Sequence, residues 1–562
     1  MTTAMIPESA PFTNQQRAWL NGFFAALLNA PSGSPTNGHG HAVDAHVECC
    51  VNGNAASAAT LIEEETFPWH DPALPIDERL TLAVDRPLER KLMSCMAQLN
   101  CGACGYLCQS YGEAIARGEE KDLTRCTPGG SDTAKMLKKL MAEPREPATA
   151  TNGVANGTVN GTATTTTNGH ASAANKQAPK QSTADGETIP GTSRQNPLVA
   201  VLVENRRLTH VDAPKDTRHV VIDLGDSGLE YEAGDSLGIL PMNCPQLVDE
   251  TLAALGATGA ESISMGDGRR KSLRQALAGD FQLTKCRPAL WELLRQYAGD
   301  DVLKEELKVA ASGGDDFAAT ADVAEALQKY STCRPPIEAF VAALGKLQPR
   351  LYSISSSHRK HPGQVHLTVG VVQFESLGKR RHGVASHYIG VRSRPGEAVR
   401  VFVQKSRFRL PADDATPVIM VGPGTGIAPF RAFLEEREAR GAKGRNWLVF
   451  GNQYIDYNFL YRDELDAWCD DDLLTRLDLA FSRDGTTKVY VQDRLRENAA
   501  ELWDWLQAGA HFYICGDAKK MAVDVEGTLR DVIAKHGGLD ESGAKKYLAE
   551  MQKAGRYQKD VY

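Results

Sequence analysis

The 562-residue sequence has no stretch approaching the ~18 consecutive apolar residues of a membrane span. Its first residues, MTTAMIPESAPFTNQQ, lack a basic segment followed by an apolar core. No secretory signal is therefore expected, and the protein reads as cytoplasmic. Positive charge is not in excess: 63 Lys and Arg stand against 71 Asp and Glu, a net charge of −8. That argues against nucleic acid or an anionic membrane as a main partner, because both need concentrated cation. Cysteine is sparse, with twelve in the chain, and no paired framework is visible. Four cysteines bunch between Cys101 and Cys126, which in a large reduced-compartment protein points to metal or cluster ligands rather than disulfides.

What is present is ordinary globular composition, 42% apolar and 24% charged, over a length that suggests about three or four domains. Residues 1–60 comprise a helical pattern at 12–29 and a polar tether carrying His39, His41, His46, Cys49 and Cys50, whose spacing matches no tetrahedral metal site. Residues 61–143 form a small unit, with helices expected near 86–99 and 132–141 on either side of the cysteines. Residues 144–195 are almost free of large apolar side chains and are expected to be a disordered linker with a reach of roughly 40 Å. From residue 196 short strand-like runs appear, interrupted by a mainly helical insertion at about 243–345. From residue 412 strands and helices alternate, the rhythm of a doubly wound parallel sheet.

The segment PVIMVGPGTGIAPFRAFLEE reads as strand, Gly-rich turn and helix. Gly422, Gly424, Thr425 and Gly426 would let backbone N–H groups approach an anionic ligand. Cys515 ends the strand-like run FYICG, at the edge where open α/β sheets gather their functional groups. Ser482, Arg483, Lys488, Tyr490 and Gln492 fall at two apparent strand ends, AFSRD and KVYVQD. Donors of this kind suit a phosphate monoester and so select NADPH over NADH. Upstream, PRLYSISSS combines Arg350, Tyr352 and Ser353, and GVASHYIG is a second small-residue turn opening a helix. Arg350 with Gly383, Val384, Ala385 and Ser386 could hold a phosphate, and Tyr352 could stack on a flavin ring.

The motifs YEAGDSLGILPMN, RLYSIS, GVASHYIG, FVQKSRFRLP, GPGTGIAPFRAFLEER, FGNQYIDYNFLYRDE, AFSRD, YICGDAKKM and RYQKDVY follow one another in this order. Together they resemble the FAD/NADPH half of the sulfite reductase flavoprotein (alpha subunit) and cytochrome P450 reductase family, over about 196–562. The resemblance implies a multidomain protein. It would have an antiparallel β-barrel FAD domain with a helical insertion (196–411) and an α/β ferredoxin-reductase-like NADP domain (412–562). It also implies roles: Ser353 beside the flavin N5, Cys515 and Asp560 assisting hydride transfer, and Tyr562 as the terminal aromatic covering the flavin. Tyr rather than Trp at 562 is closer to the sulfite reductase flavoprotein.

Family members usually place an FMN domain ahead of the FAD domain. Residues 1–195 contain no candidate FMN phosphate loop, so FAD without FMN is expected. The cysteines offer a substitute carrier. Cys101, Cys104, Cys108 and Cys126 are separated by two, three and seventeen residues, which suits a 4Fe–4S cluster in a small mainly helical domain. CxxCGY, YxxAI, GE and CxPGG resemble the Fe–S domain of corrinoid iron–sulfur proteins and of an Rnf-complex subunit. Those have four residues between the second and third cysteines, so Cys95 stays open as an alternative to Cys108. A structural zinc site or ordinary cysteines also stay open. The implied function is NADPH-dependent electron transfer through FAD and the cluster to a siroheme sulfite reductase subunit. Alternatives are a donor to nitrate or nitrite reductase, and a ferredoxin- or flavodoxin-NADP reductase whose N-terminal module senses or docks.

Overall fold

A computed structural model describes residues 69, 74–98, 104, 106–126, 128–142, 189–265, 268–376 and 378–562. The expected helix at 12–29, the tether at 31–60 with its histidines and cysteines, Cys101, and the linker expected at 144–195 up to residue 188 lie outside the described residues.

The cysteine-bearing unit contains α1 (Ile76–Leu82), α2 (Leu88–Ser94), α3 (Cys108–Ala116) and α4 (Gly130–Ala142). Leu92, Met93, Met96, Tyr111, Ile115 and Leu137 form its core, with Cys95, Cys108 and Cys126 buried among them. The helix expected at 86–99 is shorter, because Cys95 caps it and Gln98 turns the chain at φ 59°. The Gln98 amide donates to the carbonyls of Met93 and Met96, satisfying acceptors that a longer helix would have used.

Six strands build the next sheet: β1 (Leu198–Arg207), β2 (Thr217–Asp223), β3 (Ser236–Leu240), β4 (Arg350–Ser353), β5 (Gln364–Gly370) and β6 (Ala398–Gln404). Their order is β4-β3-β6-β1-β2-β5, and each neighbouring pair is antiparallel. A bridge between Ile354 and Leu367 links the two edges. β1 alternates, turning Ala200 and Leu202 inward and Val199 and Val201 outward, as a strand with one wet face should. Between β3 and β4 the chain makes helices from Pro245–Leu255 to Ile337–Ala343, close to the expected 243–345. Leu273, Leu277, Leu290, Trp291, Leu294 and Phe340 give this insertion its own core.

The C-terminal part is a five-stranded parallel sheet of β7 (Val418–Val421), β8 (Asn446–Asn452), β9 (Arg476–Phe481), β10 (His511–Gly516) and β11 (Tyr557–Val561). The order is β9-β8-β7-β10-β11, so the winding reverses between β7 and β10. Every residue of β7 is buried, the mark of a strand covered on both faces. One expectation is corrected here. KVYVQD is not a strand: Tyr490 caps the helix Val491–Glu497, with its backbone N–H donating to the Asp493 carboxylate at 2.9 Å. Val491 is buried from the first turn of that helix and Val489 packs from the loop before it; alternation over so few residues cannot tell strand from helix.

The helix after β7, α5 (Ala428–Arg440), is buried on nearly every side because it lies between the two sheets. Its charges are satisfied there. Arg431 bonds the Ser355 carbonyl at 2.6 Å and pairs with Glu435 at 2.9 Å, and Glu435 accepts from the Ser357 N–H at 2.8 Å. Among the described residues no helix is long and apolar enough to cross a membrane.

Candidate functional site

The reversal of winding puts the ends of β7 and β10 side by side, and the crevice there is where open α/β sheets bind ligands. After β7 the chain turns through Gly422 to Gly426 into a short 3-10 turn and then α5. Gly426 is required by close approach: a Cβ there would sit 2.2 Å from the Cys515 carbonyl oxygen. Parallel pairing of β10 with β11 sets Cys515 beside Asp560.

Asp560 joins the two sheets. Its carboxylate accepts from the Ser353 hydroxyl of β4 at 2.7 Å and lies 3.8 Å from the Cys515 sulfur. Burial pushes the Asp560 carboxyl up, against the opposing hydrogen bonds from Ser353 and Cys515. Burial, reinforced by the Asp560 charge, pushes the fully buried Cys515 thiol well above its ordinary value. A buried carboxyl with a raised pKa beside a hydroxyl and a neutral thiol can hold a proton at the sheet junction.

In front of Asp560 opens a cleft of about 930 Å³. Arg350, Tyr352, Ser353, Gly383, Val384, Ala385, Ser386, Gly424, Thr425, Asp560 and Tyr562 line it. The 383–386 turn is pinned to the strand end, with the Gly383 N–H on the Val372 carbonyl and the Ser386 hydroxyl accepting from the Val372 N–H at 3.1 Å. Tyr562 reaches back over the nucleotide turn, its hydroxyl 2.7 Å from that of Thr425, and remains 40% exposed. The donor set fits FAD: a fixed cation, a small-residue turn for a diphosphate, and aromatic surface for a flat ring, in a space of matching size.

The structure therefore brings together the residues expected to hold the flavin, the glycine turn and the Ser353, Asp560 and Tyr562 group. Gly422 and Gly426 shape the turn from behind, and Cys515 sits under Asp560 without lining the cleft. The residues expected to select the 2′-phosphate lie apart from the cleft walls. Ser482 and Arg483 follow β9, Lys488 and Tyr490 are exposed on the next loop, and Gln492 is largely buried with its amide 3.3 Å from Asp524. Much of the remaining wall was not foreseen, including Arg207, Lys215, Asp216 and Leu107. The first three come from the basic run ENRRLTHVDAPKDTRH, whose charge was the available clue. Leu107 comes from the cysteine unit, and nothing local in the sequence ties it to the cleft.

Around the cysteines, Cys108 and Cys126 are buried in the small core and Cys104 packs against it; among the described residues, which leave out Cys101, no group of three metal-ligating side chains is assembled. Gly129 is tightly packed beside Cys126, since a Cβ would sit 2.2 Å from the Thr133 hydroxyl and 3.0 Å from the Cys126 sulfur. Cysteine thiolates are the soft donors that a soft metal or an iron–sulfur cluster takes. Cys95 is fully buried, donates to the Lys91 carbonyl at 3.3 Å, and has its thiol pushed up to about 12 by burial.

Three family models match: FAD binding domain over 190–388, Oxidoreductase NAD-binding domain over 420–527, and "Putative Fe-S cluster" over 96–128. The last begins after Cys95 and includes all four proposed cysteine ligands. Relatives include the sulfite reductase [NADPH] flavoprotein alpha-components of Photorhabdus laumondii, Yersinia enterocolitica and Cronobacter sakazakii. The first is 46% identical over 371 residues, 66% of this chain and 61% of its own length. The second is 45% identical over 404 residues, 70% of this chain and 65% of its own. The third is 44% identical over 399 residues, 69% of this chain and 65% of its own. The chain thus spans a little under two thirds of the length of these relatives. The chain thus carries an FAD binding domain and an oxidoreductase NAD-binding domain and is a homologue of the sulfite reductase flavoprotein alpha-components over about two thirds of its length.

Proposed function

We propose that the chain oxidises NADPH and passes the electrons through FAD and a 4Fe–4S cluster to a siroheme sulfite reductase partner. The observation that carries the reading is the bonded group Ser353, Asp560 and Cys515, where a flavin-sized cleft meets the C-terminal edge of the nucleotide sheet. The relatives' names, which specify NADPH and sulfite reductase, support the choice of donor and partner.

Bound FAD would supply acceptance of a hydride and release of single electrons. The protein's own contribution is orientation and proton control. Arg350 and the 383–386 turn hold the diphosphate, and Tyr352 offers its ring. Ser482, Arg483, Lys488, Tyr490 and Gln492 take the 2′-phosphate. Tyr562 occupies the approach to the cleft and gives up its Thr425 hydrogen bond when nicotinamide enters. Being part exposed, its hydroxyl finds water in exchange, so the movement costs little. Ser353 presents its hydroxyl between the cleft and Asp560, which keeps a proton within reach. Cys101, Cys104, Cys108 and Cys126 hold the cluster, and Cys95 serves the core.

Anaerobic mixing of flavin-loaded protein with NADPH tests the reading. Flavin absorbance should bleach rapidly. In Ser353→Ala the bleaching should slow by about a hundredfold, the usual effect of removing one donor at a developing charge, with flavin content unchanged. Loaded wild-type protein that NADPH does not bleach would sink the proposal. Adding a purified siroheme subunit and sulfite should then yield sulfide.

A further inference from the structure

The cysteine unit does not stand off from the flavin cleft. Leu107, the residue before Cys108, forms part of the cleft wall. A closed ring of polar contacts holds it there. The Tyr106 hydroxyl donates to Glu120 at 3.2 Å, and Glu120 pairs with Arg125 at 2.8 Å. Arg125 donates to the Gln348 side-chain carbonyl, which also accepts from Arg194 at 3.4 Å. The Arg194 guanidinium then lies 4.5 Å above the Tyr106 ring, completing the circuit. Tyr106, Glu120 and Arg125 belong to the cysteine unit; Arg194 and Gln348 belong to the flavin-binding part. Outside the ring, Asp122 faces Arg287 of the helical insertion at 3.9 Å.

Two features mark this as more than chance surface contact. First, Arg194 is costly where it is: burial lowers its pKa, and its Nη1 is buried without a hydrogen-bond partner. Second, the ring touches the chain beside the ligands: Arg125 precedes Cys126, and Tyr106 stands between Cys104 and Cys108. These contacts are polar and charged, the character of an interface that forms and opens reversibly.

We propose that Arg194 and Gln348 are positioning residues: a latch that seats the cysteine unit on the wall of the flavin cleft, so that electrons cross directly from flavin to cluster. The inference rests on the electron route proposed above. Two electrons arrive with one hydride, leaving NADP⁺. They then leave one at a time, and the proton goes to solvent; no covalent bond forms between the two parts. The latch loads the cluster in place, and its opening frees the unit to meet a partner.

The test uses full-length protein carrying flavin and cluster, comparing wild type with Arg194→Ala and Gln348→Ala. Hydrogen–deuterium exchange of amides in 106–126 should rise about tenfold in the variants, the scale of one partly buried cation–π contact. NADPH bleaching of the flavin should be unchanged, while growth of the reduced-cluster EPR signal slows about tenfold. Matched iron and sulfide content guards against a misfolded unit, and Arg194→Lys, which keeps charge but not the planar stack, should fall between. Unchanged exchange in both alanine variants overturns the latch. Raised exchange with an unchanged EPR rate overturns its positioning role. If NADPH never produces the EPR signal in wild type, the electron route fails, and the exchange result still decides whether the latch exists.

Discussion

Arg483 and Lys488 are exposed on loops beyond the nucleotide sheet, away from the cleft, where a 2′-phosphate can be met without disturbing the reacting groups. Arg483→Ala should therefore lose discrimination rather than chemistry. KM for NADPH should rise about tenfold, the loss of one charge-assisted pair, while KM for NADH and both kcat values stay close to wild type. Steady-state kinetics with the two donors checks this; equal losses for both would place Arg483 in general binding. At this scale the sequence was readable where partners are neighbours in the chain. Arg350 with Tyr352, and Ser482 with Arg483, announce themselves by adjacency. Ser353 and Asp560 stand 207 residues apart, and only a resemblance could connect them before the structure set them at 2.7 Å. Arg194 and Gln348 were missed because one lies in a polar stretch and the other in a strand connection, and neither carries a motif.

Elements were legible in proportion to their length and pattern. β7, β8 and β10 are continuous apolar runs and were placed within a residue or two. The run KVYVQD was misread because a short apolar alternation has no period long enough to separate strand from helix. α5 reads from sequence as an ordinary amphipathic helix, yet Arg431, Glu435, Glu436 and Arg437 are all buried. Only the second sheet packed against it explains how those charges are tolerated. The turn that launches α5 gives a sharp prediction. Gly426→Ala would drive a Cβ to 2.2 Å from the Cys515 carbonyl, and backbone on both sides leaves no flexible side chain to yield. The C-terminal unit should lose on the order of 1–3 kcal/mol, the range for forced overpacking. Calorimetry should show a lower melting temperature, and NADPH-driven bleaching should fall with it, since the strain passes to the strand holding Cys515. Wild-type melting in this variant would mean that the turn relaxes freely.

At the scale of the whole molecule, the two sheet-bearing parts meet through buried polar groups as well as the apolar contacts of Phe408 with Phe433 and Tyr513. The Tyr461 hydroxyl is shared by His219 at 3.0 Å and Thr368 at 2.7 Å, and the His219 and His366 rings meet edge to face at 5.0 Å. Burial, with help from Arg431 and neighbouring cations, lowers His219 to about 3; burial and the adjacent histidines lower His366 to about 2. Both rings are thus neutral in the folded protein at any pH where it is handled. In the unfolded chain they take up protons below about pH 6.5. The unfolded state then binds more protons, so stability conferred by the neutral rings is complete above pH 6.5 and declines as pH falls toward 3. Two such groups in contact should together cost about 2–4 kcal/mol at pH 5, a large part of the 5–15 kcal/mol typical of a folded protein. Melting temperature measured from pH 7.5 to pH 5 should drop steeply in wild type. In His366→Gln, which keeps a polar ring-sized group but cannot titrate, the drop should be about half as large. Parallel curves for the two proteins would mean that His366 titrates alike in the folded and unfolded chain, and the junction would then owe its acid sensitivity to other groups.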